Sequence, residues 1–183
     1  MLKPSENPPI KLPGMDDLRS AEHTWWVGHT KSRNEKAFAW DLLRKDIPYF
    51  LPMVPKITFS GGRKRHNMAP LFTSYVFFNG TPEDRYAAFA TNRIANVIPA
   101  KDQTLLAREL FTLERVLSTE TAVDAYPELF EGRRVRVKAG ELEGVIGTVR
   151  NRADVTLLVI AVTVLGQSAE LRIEPELLEP WDD

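Results

Sequence analysis

At 183 residues with 43% hydrophobic residues, the chain can bury the cores of one or two domains. It has no cysteine, which excludes a disulfide framework and any thiolate zinc site, and no apolar run reaches the roughly 18 residues of a membrane span. The formal net charge of −1 hides a division: residues 23–117 carry 14 Lys/Arg against 8 Asp/Glu, whereas residues 126–183 carry 7 against 11. A basic body tied to an acidic tail points to separate partners, nucleic acid for the first, although a solvated surface also accounts for an excess of this size.

Residues 1–22 are polar and carry Pro4, Pro8, Pro9 and Pro13, with no apolar signal-peptide core, and are expected to be a disordered extension on a cytoplasmic protein. Trp25 to Thr30 reads as a compact strand. Asn34 offers an N-cap to a helix reaching about Lys45, with Phe38, Leu42 and Leu43 inward, and Pro48 ends it. Tyr49 to Met53 and Lys56 to Phe59 are short extended runs. Ser60 to Asn67, containing Arg63, Lys64, Arg65 and His66, reads as a flexible basic hairpin tip. Leu71 to Phe78 reads as an aromatic strand closed by the turn pair Asn79-Gly80.

A second helix is predicted over Pro82 to Ala90, with Pro82, Glu83 and Asp84 suiting its first turn. Ile94 to Ile98 is a strand, and Gln103 to Leu117 a helix with Leu106, Leu110, Leu113 and Leu117 along one face. The order β-α-β-β-β-α-β-α over residues 23–117 describes an α+β sandwich with a mostly antiparallel sheet. Residues 118–125 read as a linker. In residues 126–183, Val135 and Val137 alternate with Arg134, Arg136 and Lys138. Gly140, Gly144 and Gly147 then punctuate the chain, and β-branched residues continue from Val155 to Val164. That is a small all-β domain.

The last segment resembles the KOW motif, a small β-barrel module of transcription and ribosomal proteins. With an α+β domain opening on Trp25-Trp26-Val27, the whole resembles the NusG family of transcription elongation factors. Leu51-Pro52-Met53-Val54-Pro55, the basic run Gly61 to Arg65, Pro70-Leu71-Phe72-Thr73-Ser74-Tyr75-Val76-Phe77, and Val164-Leu165-Gly166 before Glu170-Leu171 carry the likeness. Phe72-Thr73-Ser74-Tyr75 departs from the Phe-Pro-Gly-Tyr of most housekeeping members and is closer to RfaH-like specialised paralogues, which act on a few long operons.

The resemblance implies a monomeric, non-catalytic factor whose first domain binds the β′ clamp helices of RNA polymerase through Phe72, Tyr75 and Phe77. In an unbroken strand these three aromatics could not share a face, so a turn or bulge is required near Thr73-Ser74; sheet core is the competing role, for Phe77 above all. Lys31, Arg33 and Lys36 after the first strand, and Asn92 and Arg93 after the second helix, would face upstream or non-template DNA. For Lys36 a solvated face is the stronger expectation. Arg63, Lys64 and Arg65 would add phosphate or polymerase contacts. Val164 and Leu165 would meet NusE, and through it the ribosome, or Rho. The β-branched run favours a stable barrel over the helix-to-barrel refolding of RfaH.

Neither the three histidines nor any motif gives a metal, hydrolase or nucleotide-binding signature, and no cofactor is implied. A ribosome-associated KOW protein acting on RNA is the rival class; the acidic tail opposes it. A housekeeping NusG is the closer alternative to an operon-specific antiterminator.

Overall fold

The computed structural model describes residues 7–60, 63–119, 123–126, 132, 134–152, 155–174 and 177–181. The chain divides into two compact units, residues 1–103 and 104–183.

The first unit is built from β1 (Thr24–Thr30), α1 (Glu35–Arg44), β2 (Tyr49–Phe50), β3 (Met53–Ser60), β4 (Arg63–Pro70), β5 (Tyr75–Gly80), α2 (Pro82–Ala90) and β6 (Ile94–Pro99). Four strands form an antiparallel sheet in the order β2-β5-β1-β6, and β3 and β4 form a separate hairpin. The register pairs Trp26 with Phe78, Val27 with Phe77 and His29 with Tyr75. Alternation therefore divides the sheet into two faces. One carries Val76, Phe78, Tyr49, Ile94 and Val97, and receives Phe38, Ala39 and Leu42 of α1 and Ala88 of α2 in a buried core. Gly28 lets α1 close on this face, because a Cβ there would sit 2.9 Å from the Phe38 ring. The other face carries Val27, His29, Tyr75, Phe77 and Phe50. α2 starts on a capping box, Thr81 and Asp84 satisfying each other's backbone N–H, with Pro82 in the first turn.

The structure corrects several expectations. The leader is an ordered strap from residue 7 onward; residues 1–6 lie outside the described residues. Lys11 bridges Phe50, Leu51 N–H donates to the Ile10 carbonyl at 2.6 Å and Leu12 N–H to the Tyr49 carbonyl at 3.2 Å. β2 is a sheet edge with free backbone groups, and an extended proline-bearing chain can satisfy them. Leu18 buries completely, its carbonyl accepting from Trp25 Nε1.

Pairing also changes the hairpin and the segment after it. β3 and β4 pair as far as Ser60 opposite Arg63, so most of the expected tip is strand; Gly61 and Gly62 lie outside the described residues. Residues 71–74 form a turn, and the strand begins at Tyr75. Asn79-Gly80 continues the strand, because the Asn79 side chain brackets the backbone of His23, accepting from its N–H and donating to its carbonyl.

The second unit takes α3 (Gln103–Leu117) from Thr104 onward, then β7 (Val123–Tyr126), β8 (Arg134–Val137), β9 (Ile146–Arg152), β10 (Val155–Val162), β11 (Gln167–Arg172) and β12 (Leu178–Pro180). All six strands join one antiparallel sheet, ordered β12-β8-β9-β10-β11-β7. Val135, Val137, Leu158, Ile160, Val162 and Leu171 are among its buried residues. The sequence assigns α3 to the first domain, whereas the units divide just after its first residue. Its buried stripe ends on Val116 rather than Leu117. Part of the expected linker is strand, since β7 pairs with β11 from Val123 to Tyr126; residues 120–122 lie outside the described residues. The fold class is the α+β one expected, a helix-flanked antiparallel sheet followed by an all-β sheet.

Candidate interaction surfaces

The aromatic surface depends on one turn. Tyr75 N–H returns to the Phe72 carbonyl at 3.3 Å, closing Phe72-Thr73-Ser74-Tyr75. Ser74 is left-handed at φ 68, the conformation required at the third position of a type II turn, where glycine is normal and proline precedes it. Thr73 and Ser74 supply neither. The turn is held from outside: Ser74 N–H donates to Glu35 Oε1 at 2.7 Å, and its carbonyl accepts from Thr30 N–H at 2.8 Å. Glu35 opens α1 and is buried, so the start of one helix clamps the turn.

The turn lets all three aromatics share a face. The rings of Phe72 and Phe77 meet edge-on at 6.4 Å, Phe50 lies 6.4 Å from Phe77, and Tyr75 stacks on His29 at 5.2 Å. They differ in access. Phe72 and Phe77 are 0% exposed, whereas Tyr75 and His29 are half-buried. Phe72 and Phe77 thus form the floor, and Tyr75 with His29 is the part left half-open to solvent. His29 has no signal in the sequence beyond its place opposite Tyr75, which requires the strand register.

The cationic edge gathers two turns. Lys31 N–H donates to the Arg93 carbonyl at 2.8 Å and Lys31 Nζ to Asn92 Oδ1 at 2.6 Å. Arg93 Nε reaches Asp41 Oδ2 at 3.0 Å and its Nη1 reaches Asn34 Oδ1 at 3.2 Å. Asp41, which also pairs with Arg44, holds Arg93 in place and offsets part of its charge. Arg33 and Asn92 are left-handed, at φ 59 and φ 58, and both are exposed. Two non-glycine residues in that region mark turns whose shape is enforced by their surroundings.

Lys36 plays another part. Its Nζ donates to Asn7 Oδ1 at 2.6 Å and to the Met68 carbonyl at 2.5 Å, tying the strap and β4 to α1. Burial pushes its ammonium down from the ordinary lysine range. It is a structural tie rather than the solvated face expected. The side chains of Arg63, Lys64, Arg65 and His66 lie outside the described residues.

In the second unit, Thr163–Leu165 forms a 3-10 turn closed by left-handed Gly166 at φ 60. Val164 and Leu165 are half-buried there. The turn is anchored by Glu109 of α3, whose carboxylate accepts from Thr163 N–H at 3.1 Å and Thr163 Oγ1 at 2.5 Å. Glu109 lies on the helix face the sequence marks as apolar, and its bonds to Thr163 help to satisfy a carboxylate buried there.

Residues 23–110 match the NusG family model, described as transcription termination factor nusG. No curated protein matches the chain. The matched stretch contains the aromatic face, its turn and the cationic edge, and supports a transcription elongation or termination role for the domain they form, with RNA polymerase the implied partner. No helix among the described residues is long and apolar enough to cross a membrane.

Proposed function

We propose that the protein is an operon-specific transcription antiterminator that rides on RNA polymerase and makes no covalent chemistry of its own. One observation carries the reading: within the stretch similar to NusG, a strained turn brings Phe72, Tyr75 and Phe77 to a single sheet face. Large rings in a fixed array suit the docking of a helix tip, here the β′ clamp helices, with Tyr75 the contact and Phe72 and Phe77 its support. Binding across the cleft favours the elongating conformation over the paused one, a population shift. Lys31, Arg33, Asn92 and Arg93 then face upstream or non-template DNA. The β10–β11 turn with Val164 and Leu165 recruits NusE, and with it the ribosome, or Rho. Operon specificity rests on Thr73-Ser74 standing in place of the Pro-Gly of general members.

Genome-wide crosslinking, profiled beside RNA polymerase, tests this. Occupancy confined to one or a few operons and beginning at a shared leader element is expected. Occupancy that follows polymerase over most genes would make the protein a general elongation factor. Crosslinking to ribosomal RNA without polymerase would refute both.

A further inference from the structure

The leader strap precedes the stretch that matches the family model, residues 23–110, and the docking face and cationic edge as described make no use of it. The sheet it serves, ordered β2-β5-β1-β6, has two edges. β6 blunts its own edge. Its Val97 N–H donates to the Asn96 side chain at 2.8 Å, and Pro99, two residues on and on the same side of the strand, has no N–H to offer. β2 relies on the strap, which adds a short fifth strand through the Lys11–Phe50 bridge and the bonds to Tyr49 and Leu51.

From this edge the strap reaches both faces of the sheet. Ile10 and Leu12 pack against the core beneath α1, so alternation puts Lys11 on the other side, level with Phe50 and the aromatic face. Pro13 and Gly14 then turn the chain. Met15 N–H returns to the Leu12 carbonyl at 3.2 Å and Gly14 is left-handed at φ 86, a type II turn with proline and glycine in their preferred places. Beyond it Leu18 is fully buried and its carbonyl accepts from the Trp25 indole. Trp25, two residues before Val27, belongs to the aromatic face. The strap therefore grips that face at two points, its edge at Phe50 and its end at Trp25.

From Phe50 a line of contacts leads to the half-open part of the face. Phe50 lies 6.4 Å from Phe77, Phe77 lies 6.4 Å from Phe72, and the Phe72 carbonyl accepts from Tyr75 N–H at 3.3 Å. We infer that the strap is a brace that sets the strength of polymerase docking: seated on β2 it fixes Phe50 and, through Phe77 and Phe72, the turn that carries Tyr75. The inference rests on the reading of the Tyr75 face as the polymerase contact and adds what governs its affinity. A few backbone bonds and one apolar anchor hold the strap, so it opens locally before the domain unfolds. Once open, it leaves Phe50 without its neighbour, and docking must then order a looser face.

The test combines hydrogen exchange with equilibrium binding of the full chain to the isolated clamp-helix hairpin of the polymerase. Gly14→Val strains the left-handed corner, where an added Cβ meets open space and only the backbone resists. Together with Leu18→Ala it should unseat the strap. The Leu12 and Leu51 amides should then exchange about tenfold faster or more, while those of β1 and β5 keep their protection. Affinity for the hairpin should fall about two- to thirtyfold, the range of coupling carried through a packed network. That loss should shrink when Tyr75 is already alanine, because both changes act through one contact. Gly14→Val alone, which removes no packing, should show the same effects in smaller measure, and Gly14→Asn, which tolerates the left-handed region, should match the wild type. An unseated strap with wild-type affinity, or a loss that adds in full to that of Tyr75→Ala, would overturn the brace and leave the docking face standing. Strap amides that stay protected in the double variant, or β1 and β5 amides that open with them, would overturn the strap as a separable element and the brace with it. Failure of the wild-type chain to bind the hairpin would overturn the docking reading itself.

Discussion

At the scale of single residues, Ser74 and Glu35 govern whether the aromatic face exists. A non-glycine residue in the left-handed region costs roughly 1–2 kcal/mol, and glycine's extra freedom when unfolded returns part of that on substitution. Ser74→Gly should therefore raise stability by ~0.5–1 kcal/mol in urea unfolding; a loss would mean that the Ser74 side chain has a role outside the turn. Glu35→Ala should cost about 1–3 kcal/mol, because it leaves Ser74 N–H without its acceptor. The aromatics divide by burial. Phe72→Ala and Phe77→Ala should each destabilise the domain by about 3–5 kcal/mol. Tyr75→Ala should leave the midpoint nearly unchanged and weaken polymerase binding. Equal destabilisation by all three would reduce Tyr75 to a core residue.

At the scale of elements, the strap along β2 shows how edge chemistry overrides composition. Four prolines and few apolar residues argue for disorder, yet an edge strand offers N–H and C=O groups that a short extended chain can pair with, and Leu18 supplies the anchor. Tyr49 reports on this contact. Its hydroxyl donates to the Pro9 carbonyl at 2.9 Å, and burial pushes its pKa up to about 12, against roughly 10 when unfolded. Below pH 10 both states hold the proton. Between pH 10 and 12 only the unfolded state releases it, so this share of stability is complete below pH 10 and lost as pH rises towards 12. Tyr49→Phe should lower stability by about 1 kcal/mol at neutral pH and flatten the alkaline decline in denaturation measured from pH 8 to 11. An unchanged decline would show that Tyr49 ionises as freely in the fold as outside it.

The sheet of the second unit holds a comparable test. Glu170, 2% exposed at its side chain, meets Arg150 at 3.0 Å. The Arg150 side chain is 22% exposed, so the loss is that of a hydrogen bond to a charged group rather than of a fully buried pair. Glu170→Ala should cost about 1–3 kcal/mol of that unit's stability by denaturant unfolding, and no measurable cost would show the pair to be solvated.

At the scale of the whole molecule, periodicity and helix signals made the architecture legible. Helical spacing located α3, Pro82 with Glu83 and Asp84 located α2, and the alternation of Val135 and Val137 with Arg134 and Arg136 located β8. The features that stayed hidden depend on partners far away in sequence. Asn79-Gly80 reads as a turn until His23 is seen to occupy its side chain, and Lys36 reads as a surface cation until Asn7 and Met68 are placed beside it. The candidate surfaces divide in the same way. That Phe72, Tyr75 and Phe77 require a turn could be argued from alternation alone; which rings end up beneath and which on top could not. Lys31, Asn92 and Arg93 converge through the pairing of β1 with β6, where the register shifts between His29 and Thr30, and no local pattern announces such a shift.

The proposed docking on RNA polymerase is through the face centred on Tyr75. The direct measurement is equilibrium binding of the full chain and of Tyr75→Ala to core RNA polymerase, and to its isolated clamp-helix hairpin, with folding of both proteins checked by thermal melting. Saturable binding to both targets, weakened at least tenfold by Tyr75→Ala at an unchanged melting temperature, is the predicted result. Failure of the wild-type chain to bind polymerase, or equal affinity of the folded variant, would contradict it.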